Sequence, residues 1–169
     1  MEKRGQLLSQ PFIYIFAIVL AALILLFGVM LINKINNQSE EVQLIAFISD
    51  LKTQVNNFYH FDPGSSKELN ILLPKKIKQL CFYSNKYSIT TELNHPDLKD
   101  LNLILQYPQS DNLYVIPLTE YSETRFTIPN LQPPASENPL CFIPSSGRLN
   151  ALIETKAYQN NIYVEIRKK

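Results

Sequence analysis

Apolar side chains follow three successive patterns along the chain. Residues Phe12 to Ile32 form an uncharged apolar run, and about 20 helical residues suffice to cross a bilayer core of about 30 Å. From Leu44 to Tyr59 the apolar residues recur every three or four positions, which predicts one face of an amphipathic helix. Beyond Ser66 they alternate with polar residues, as in strands with one buried face. The pattern therefore predicts an α+β chain with a transmembrane helix, an amphipathic helix and a β-rich domain.

The apolar run is interpreted as a retained membrane anchor, and two alternatives stay open. A cleaved secretory signal has an apolar region of only about 7–15 residues before a small-x-small site, and no such site follows Ile32. A buried helix of a soluble domain is the other alternative. The length of the run and its lack of charge argue against it.

Basic residues predict the orientation of this anchor. Lys3 and Arg4 precede it, whereas Lys34 alone follows it closely, before Glu40 and Glu41. Since basic flanks are retained in the cytoplasm, we expect residues 1–11 to form a cytoplasmic leader and the chain after the anchor to be extracellular. The predicted location is the cell membrane, with membrane lipid as a partner.

The segment that follows the membrane run is predicted to be helical. No glycine or proline occurs between Gly28 and Pro63, so nothing forces a break between the transmembrane helix (residues 12–32) and an amphipathic stalk helix (residues 33–61). A bend or break at Asn33–Gln38, with a separate helix packed on the domain, stays open. Pro63 and Gly64 end the helix, and residues 66–169 form an extracytoplasmic β-rich domain.

This last region is predicted to be an antiparallel β-sheet or sandwich on which the amphipathic helix packs. One helical turn is expected near Asp97–Leu101, and the proline-rich segment Pro129–Ser146 is expected to run mostly as an extended surface loop. Turn-forming sequences separate nine predicted strands: Glu68–Leu73, Ile77–Ser84, Tyr87–Glu92, Leu101–Tyr107, Asn112–Leu118, Arg125–Ile128, Leu140–Ile143, Leu149–Thr155 and Asn161–Arg167.

Two cysteines and one sequon are candidate modification sites. Cys81 and Cys141 lie in apolar, strand-like sequence beyond the predicted membrane segment, where an oxidising environment favours a disulfide. Two buried free thiols are the alternative. Asn37 begins an Asn-Gln-Ser sequon on the same predicted side, although such triplets also occur by chance.

Charge and motifs narrow the classes of function. The formal net charge is +1, which leaves no basic excess of the kind that binds nucleic acid. Neither His60 nor His95 has the spacing that would complete a zinc site with the two cysteines. The basic clusters at Lys75–Lys78 and Arg167–Lys169 are interpreted as solvated surface charge, and the sequence carries no nucleotide-binding or hydrolase motif. We therefore expect no enzyme and no cofactor.

The amino-terminal residues carry a family resemblance. Glu2-Lys3-Arg4-Gly5-Gln6, followed by the long apolar helix, resembles the leader of type IV pilin-like proteins, in particular the class III signal peptides of archaeal pilins and archaellins. The resemblance covers about residues 1–60. It implies that a prepilin-type peptidase cuts between Gly5 and Gln6, after the basic pair. Bacterial pilins place a glutamate where this chain has Gln10, so the resemblance is to the archaeal type.

The resemblance also implies a role. Pilin-like subunits are stored in the membrane and then pack through their amino-terminal helices with copies of themselves or with related subunits. The expected function is therefore a structural subunit of a pilus-like surface filament. The alternatives are an uncleaved single-pass protein that displays its β-rich domain as a binding or accessory module, and a tethered enzyme for which the sequence shows no site.

Overall fold

The computed structural model describes residues 10–91, 98–158 and 161–169. The predicted leader residues Lys3, Arg4, Gly5 and Gln6 lie outside the described residues, as do His95 and the side chain of Asn37. Contacts along the backbone divide the chain into two units, residues 1–39 and residues 40–169. Each unit is described by itself.

One long helix, α1, extends from Gln10 to Tyr59 and contributes to both units. Its backbone is helical through residues 33–38, where the sequence had left a break open. In the first unit, Phe12–Ile32 is the one helix among the described residues that is long and apolar enough to cross a membrane. The same property is shared by membrane anchors and by signal sequences.

The second unit contains eight strands and a short helix, α2 (Lys99–Leu105). The strands are β1 (Ser66–Leu72), β2 (Gln79–Phe82), β3 (Leu113–Ile116), β4 (Arg125–Phe126), β5 (Leu131–Gln132), β6 (Leu140–Phe142), β7 (Arg148–Tyr158) and β8 (Asn161–Lys168). They form two four-stranded sheets, with the strand orders β1-β7-β8-β5 and β4-β3-β2-β6. The prediction of an α+β fold is confirmed at this level.

The stripe of apolar residues in the second half of α1 lies in the main core of the second unit. Its buried members are Leu44, Phe47, Ile48, Leu51, Val55 and Phe58. They share one cluster with the inward-facing residues of both sheets, among them Leu149, Ile153, Val164, Leu80 and Val115. Each such side chain contributes about 1.5–3 kcal/mol when it is fully buried. The amphipathic pattern is therefore explained by packing on the sheets, with Ile45, at 64% exposure, left outside.

Seven of the nine predicted strands coincide with observed strands to within a few residues. Leu101–Tyr107 is wrong, because most of it forms α2. Leu98, Leu101 and Leu105 are buried at helical spacing, whereas Leu103 and Tyr107 are exposed. The apparent alternation was in fact a period of three to four. α2 packs in a second, smaller core cluster with Tyr114 and Ile116.

The predicted strand Tyr87–Glu92 is also wrong over its described part, since residues 87–91 contain no strand and Glu92 lies outside the described residues. The backbone N–H of Thr90 instead bonds the carbonyl of Asn138, at 2.8 Å. The helical turn expected near Asp97–Leu101 coincides with the start of α2 at Lys99, while Asp97 itself lies outside the described residues.

The proline-rich segment differs from the expected surface loop. It contains strand β5, which pairs in parallel with β8 through Leu131↔Val164 and Gln132↔Glu165, so the first sheet is not wholly antiparallel. Asn138 in the same segment is completely buried. Composition indicated few backbone donors here, but side-chain hydrogen bonds and packing place part of the segment inside the fold.

Candidate functional site

The apolar part of α1 is the first candidate surface. Every large hydrophobic side chain from Phe12 to Ile32 is exposed within the chain, from 46% at Leu20 to 74% at Phe12. A helix that is apolar all round is stable only inside a large core or a membrane, and its backbone hydrogen bonds are satisfied within the helix, as lipid requires. The segment is therefore suited to lipid or to packing with other apolar helices.

Small residues mark one side of this apolar segment. At 100° per residue, Ala17, Ala21 and Gly28 lie within about 40° of each other around the helix. A side-chain carbon added at Gly28 would meet nothing within 4 Å. Small residues on one face allow a second helix to approach closely in a membrane.

The outer face of the first sheet carries a network of charges. Glu165 is only 6% exposed, and it pairs with Lys156 at 3.2 Å between Oε1 and Nζ and also accepts a hydrogen bond from Nε of Arg167. Arg167 also pairs with Glu154, at 3.3 Å. The hydrogen bond to Glu165 is the main cause that raises the pKa of Arg167. The network has two negative and two positive side chains, so its charges cancel. We therefore interpret it as a structural feature of the sheet.

A groove at one end of this face is the second candidate surface, and we call it the tyrosine groove. Its volume is about 610 Å³, and its lining residues are Lys86, Tyr87, Gln132, Ala135, Tyr158, Asn161 and Tyr163. The Tyr87 hydroxyl donates to Oε1 of Gln132 at 3.4 Å. Burial, followed by the neighbouring Tyr87 and Glu165, raises the pKa of Tyr163 to about 12. Its phenol therefore stays neutral at physiological pH.

Asn138 holds one wall of the tyrosine groove in place. Its amide nitrogen donates to the carbonyls of Ser84 and Tyr87, both at 2.9 Å, and to that of Ser88 at 3.3 Å. Its Oδ1 accepts from the backbone N–H of Ser84 at 2.9 Å. One buried side chain thus replaces the backbone partners that a strand would have supplied to this loop.

Sequence reasoning found neither the tyrosine groove nor the role of Asn138. The alternation in β8 did indicate that Tyr163 lies on the face opposite Val164 and Ile166. Tyr87 and Gln132, however, are 45 positions apart in sequence, and no local pattern brings them together.

The two cysteines form a disulfide between neighbouring strands of the second sheet. They lie opposite each other in the pairing of β2 with β6, and Cys81 is fully buried. The bond joins residues 60 positions apart. It therefore closes a large loop in the unfolded chain and lowers the conformational entropy of that state.

The remaining predicted features are surface groups. Lys76 pairs with Glu120 at 3.0 Å, Lys168 with Glu137 at 3.6 Å and Lys169 with Glu68 at 2.9 Å. His60 is exposed directly after α1, and its ring packs edge-on against Tyr59. Across residues 10–91, 98–158 and 161–169, no group of three or more His, Cys, Asp or Glu side chains is arranged to hold a metal ion.

In comparisons with known proteins, no family model, curated protein or solved structure matches the chain.

Proposed function

We propose that the protein is a pilin-like subunit, held in the membrane by Phe12–Ile32, processed between Gly5 and Gln6, and assembled into a surface filament. The observation that carries the proposal is the composition of α1. A single helix contains an apolar segment with every large side chain exposed and a later segment whose apolar stripe is buried in a β-rich unit. A subunit that joins others through one end of its helix and displays a domain at the other needs these two segments.

Assembly exchanges one apolar environment for another. The segment leaves lipid and packs with the equivalent segments of other subunits, so little hydrophobic free energy is gained. The contact is instead stabilised by close van der Waals packing, to which the face of Ala17, Ala21 and Gly28 contributes. The basic pair Lys3-Arg4 keeps the amino terminus in the cytoplasm until processing.

The β-rich unit is attached firmly to its own part of α1. Besides the buried stripe, the Tyr121 hydroxyl donates to Oε2 of Glu40 at 3.5 Å, and the backbone N–H of Ser122 donates to Oε1 of Glu41 at 3.4 Å. Tyr121 is 8% exposed, and burial, reinforced by Glu40, raises its pKa. These contacts let the helix segment and the sheets act as one body within the second unit.

Mass spectrometry of the mature amino terminus tests the proposal. The mature chain is expected to begin at Gln6. Gly5→Leu is expected to block processing and leave Met1 or Glu2 at the terminus, whereas Gly5→Ala, the matched control, keeps a small residue and is processed. An unprocessed wild-type chain in cells that contain a prepilin-type peptidase would contradict the proposal.

Cysteine cross-linking tests assembly separately. The chain has two cysteines, and both are used in the disulfide, so a single added cysteine reports on its own site. Ala21→Cys is expected to form dimers between subunits on mild oxidation in intact cells. Val19→Cys, which lies about 160° around the helix from Ala21 at another exposed position, is the matched control and is expected to cross-link less.

A single-pass protein that displays its β-rich unit as a binding domain is the second candidate. The observation that favours it is the tyrosine groove, since a purely structural subunit has no need for a shaped polar groove. An intact amino terminus, together with no cross-linking at Ala21→Cys, would favour this candidate over the first.

A further inference from the structure

The tyrosine groove has the chemistry of a small-ligand site that does not depend on filament assembly. We propose that it binds an acidic saccharide, namely a pyranose that carries one carboxylate, with its ring stacked on tyrosine and its carboxylate at Lys86. The volume of about 610 Å³ falls within the range of about 300–1,000 Å³ for small-molecule sites.

The lining of the groove combines aromatic rings with hydrogen-bond donors and acceptors. Tyr87, Tyr158 and Tyr163 line it with rings, and each ring has an apolar body and a hydroxyl that both donates and accepts hydrogen bonds. The amides of Gln132 and Asn161 also line it and add both donors and acceptors. A sugar presents apolar C–H faces edged by hydroxyl groups, which is the complement of this lining.

The single positive charge of the groove favours a ligand with one negative charge. Lys86 is its single charged lining residue. In the described part of the chain the Lys86 ammonium has no ion-pair partner among the salt bridges. Glu165, the nearest acid to Tyr163 in the strand, is already balanced by Lys156 and Arg167. A carboxylate at Lys86 therefore meets a positive charge, and none of the described lining residues is an acid.

The same charge count argues against nucleic acid, which stacks on aromatic rings as well. Binding to a phosphate backbone uses several lysine or arginine contacts along the strand. A groove with one lysine supplies a single contact of this kind.

The wall of the groove is preorganised. Asn138 holds the backbone of Ser84 and Tyr87 on either side of Lys86, and the Tyr87 hydroxyl is tied to Gln132. A loop that is already ordered loses less freedom when it binds a ligand. These contacts thus favour affinity for a small ligand that makes few contacts of its own.

Saturation-transfer NMR with the full chain tests the proposal. The protein is placed in nanodiscs of phosphatidylcholine, which carry neither a sugar detergent nor net lipid charge. The probes are 3′-sialyllactose and a hyaluronan tetrasaccharide as acidic saccharides, with lactose and chitotetraose as neutral controls and a single-stranded oligothymidylate as the nucleic-acid control. Both acidic probes carry a carboxylate on a pyranose ring. A difference in binding between them distinguishes a preference for sialic acid from a preference for uronic acid.

At least one acidic probe is expected to bind at least ten-fold more tightly than its neutral control. Lys86→Gln is expected to remove this preference, and Tyr158→Ala is expected to weaken binding five-fold or more. Tyr107→Ala is the matched control, because Tyr107 is 69% exposed outside the groove and Tyr158 is 66% exposed within it. Urea unfolding of each variant verifies that the fold is retained.

Several results would overturn the proposal. They are no transfer to either acidic probe at 10 mM, equal affinity for acidic and neutral probes, tighter binding of the oligothymidylate at physiological salt, or acidic binding that Tyr158→Ala leaves unchanged in a folded variant.

Discussion

Two leucines of the same helix show how differently the two regions of the molecule are stabilised. Leu25, in the apolar segment, is 70% exposed within the chain, whereas Leu51, in the packed half of α1, is completely buried. Both have the same side chain and the same helical backbone. Leu51 is removed from water by the sheets of its own unit, whereas no part of the described chain covers Leu25.

The difference teaches that apolar content alone does not define a core. The second unit alternates buried and exposed positions in strands such as β7, and thereby builds one face for packing and one for solvent. The apolar segment has no polar face. A helix of this kind is suited to lipid or to packing against other apolar helices.

The largest expected effect concerns the disulfide, which belongs to the β-rich unit alone. Reduction should destabilise that unit by roughly 4 kcal/mol, because the unfolded chain regains the conformational entropy that the cross-link had removed. Urea unfolding of the full chain in nanodiscs, followed by near-ultraviolet circular dichroism of tyrosine, measures the loss. The helical signal of the apolar segment at high urea should be the same in both states. Equal unfolding midpoints with and without reductant would contradict this expectation.

A charge placed in each half of α1 sharpens the comparison directly. Leu25→Lys should oppose membrane insertion by about 2.5–3.5 kcal/mol, since lysine is costly at the centre of a bilayer. Ile45→Lys, at a similarly exposed position of 64%, should change insertion and stability by less than about 0.5 kcal/mol because water already surrounds it.

Extraction of membranes with alkaline carbonate separates inserted from released chains in this experiment. If both lysine variants remain fully inserted, the two exposed positions face the same kind of environment, and the distinction between the two regions of α1 is lost.

A third prediction concerns buried polar side chains, which occur in the β-rich unit and not in the described apolar segment. Asn138→Ala should destabilise the unit by about 1–3 kcal/mol, because buried backbone groups of Ser84 and Tyr87 lose their partner. Asn150→Ala is the control. Asn150 is exposed and accepts a hydrogen bond from Asn70 at 3.0 Å, so its loss should cost about 0.5 kcal/mol. The same urea titration measures both variants, and equal losses would show that Asn138 is not a structural anchor.

The smallest expected effect is a dependence of stability on alkaline pH. Burial, assisted by the nearby Asp111, raises the pKa of Tyr114 to about 12, and the unfolded chain titrates near 10. The folded state keeps the proton of Tyr114 to a higher pH than the unfolded state does. The contribution of Tyr114 to stability is therefore fully present below about pH 10 and is lost as pH rises towards 12. Tyr114→Phe should therefore lose less stability between pH 9 and pH 11 than the wild type.

Urea midpoints across that pH range measure the Tyr114 effect, and Tyr107→Phe, at an exposed site, is the control for removal of a hydroxyl. Parallel loss of stability in Tyr114→Phe and the wild type would show that this phenol does not contribute. The effect arises from a phenol buried in the β-rich unit, so it reports on the stability of that region of the molecule.

Much of the fold was predictable because its signals are local. The run from Phe12 to Ile32, the stripe from Leu44 to Phe58 and the alternation in β7 and β8 each lie within one element, where spacing along the chain dictates which side chains share a face. α2 was predicted only in part, because the helical turn expected near Asp97–Leu101 was followed by a predicted strand. Leu101 to Tyr107 fits a period of two as readily as a period of three to four over so few residues, and the contacts of Leu101 and Leu105 with Tyr114 decided the outcome.

The sequence alone determined that one segment of this protein is apolar all round and that another carries one apolar stripe, since both properties depend only on the order of residues. Tertiary structure alone decided that Tyr87, Gln132 and Tyr163 meet in one groove and that Asn138 supports its wall. The physical reason is that strand pairing and packing bring distant groups together, with 45 positions between Tyr87 and Gln132 and 51 between Tyr87 and Asn138. Hydrophobic periodicity carries information only about near neighbours along the chain.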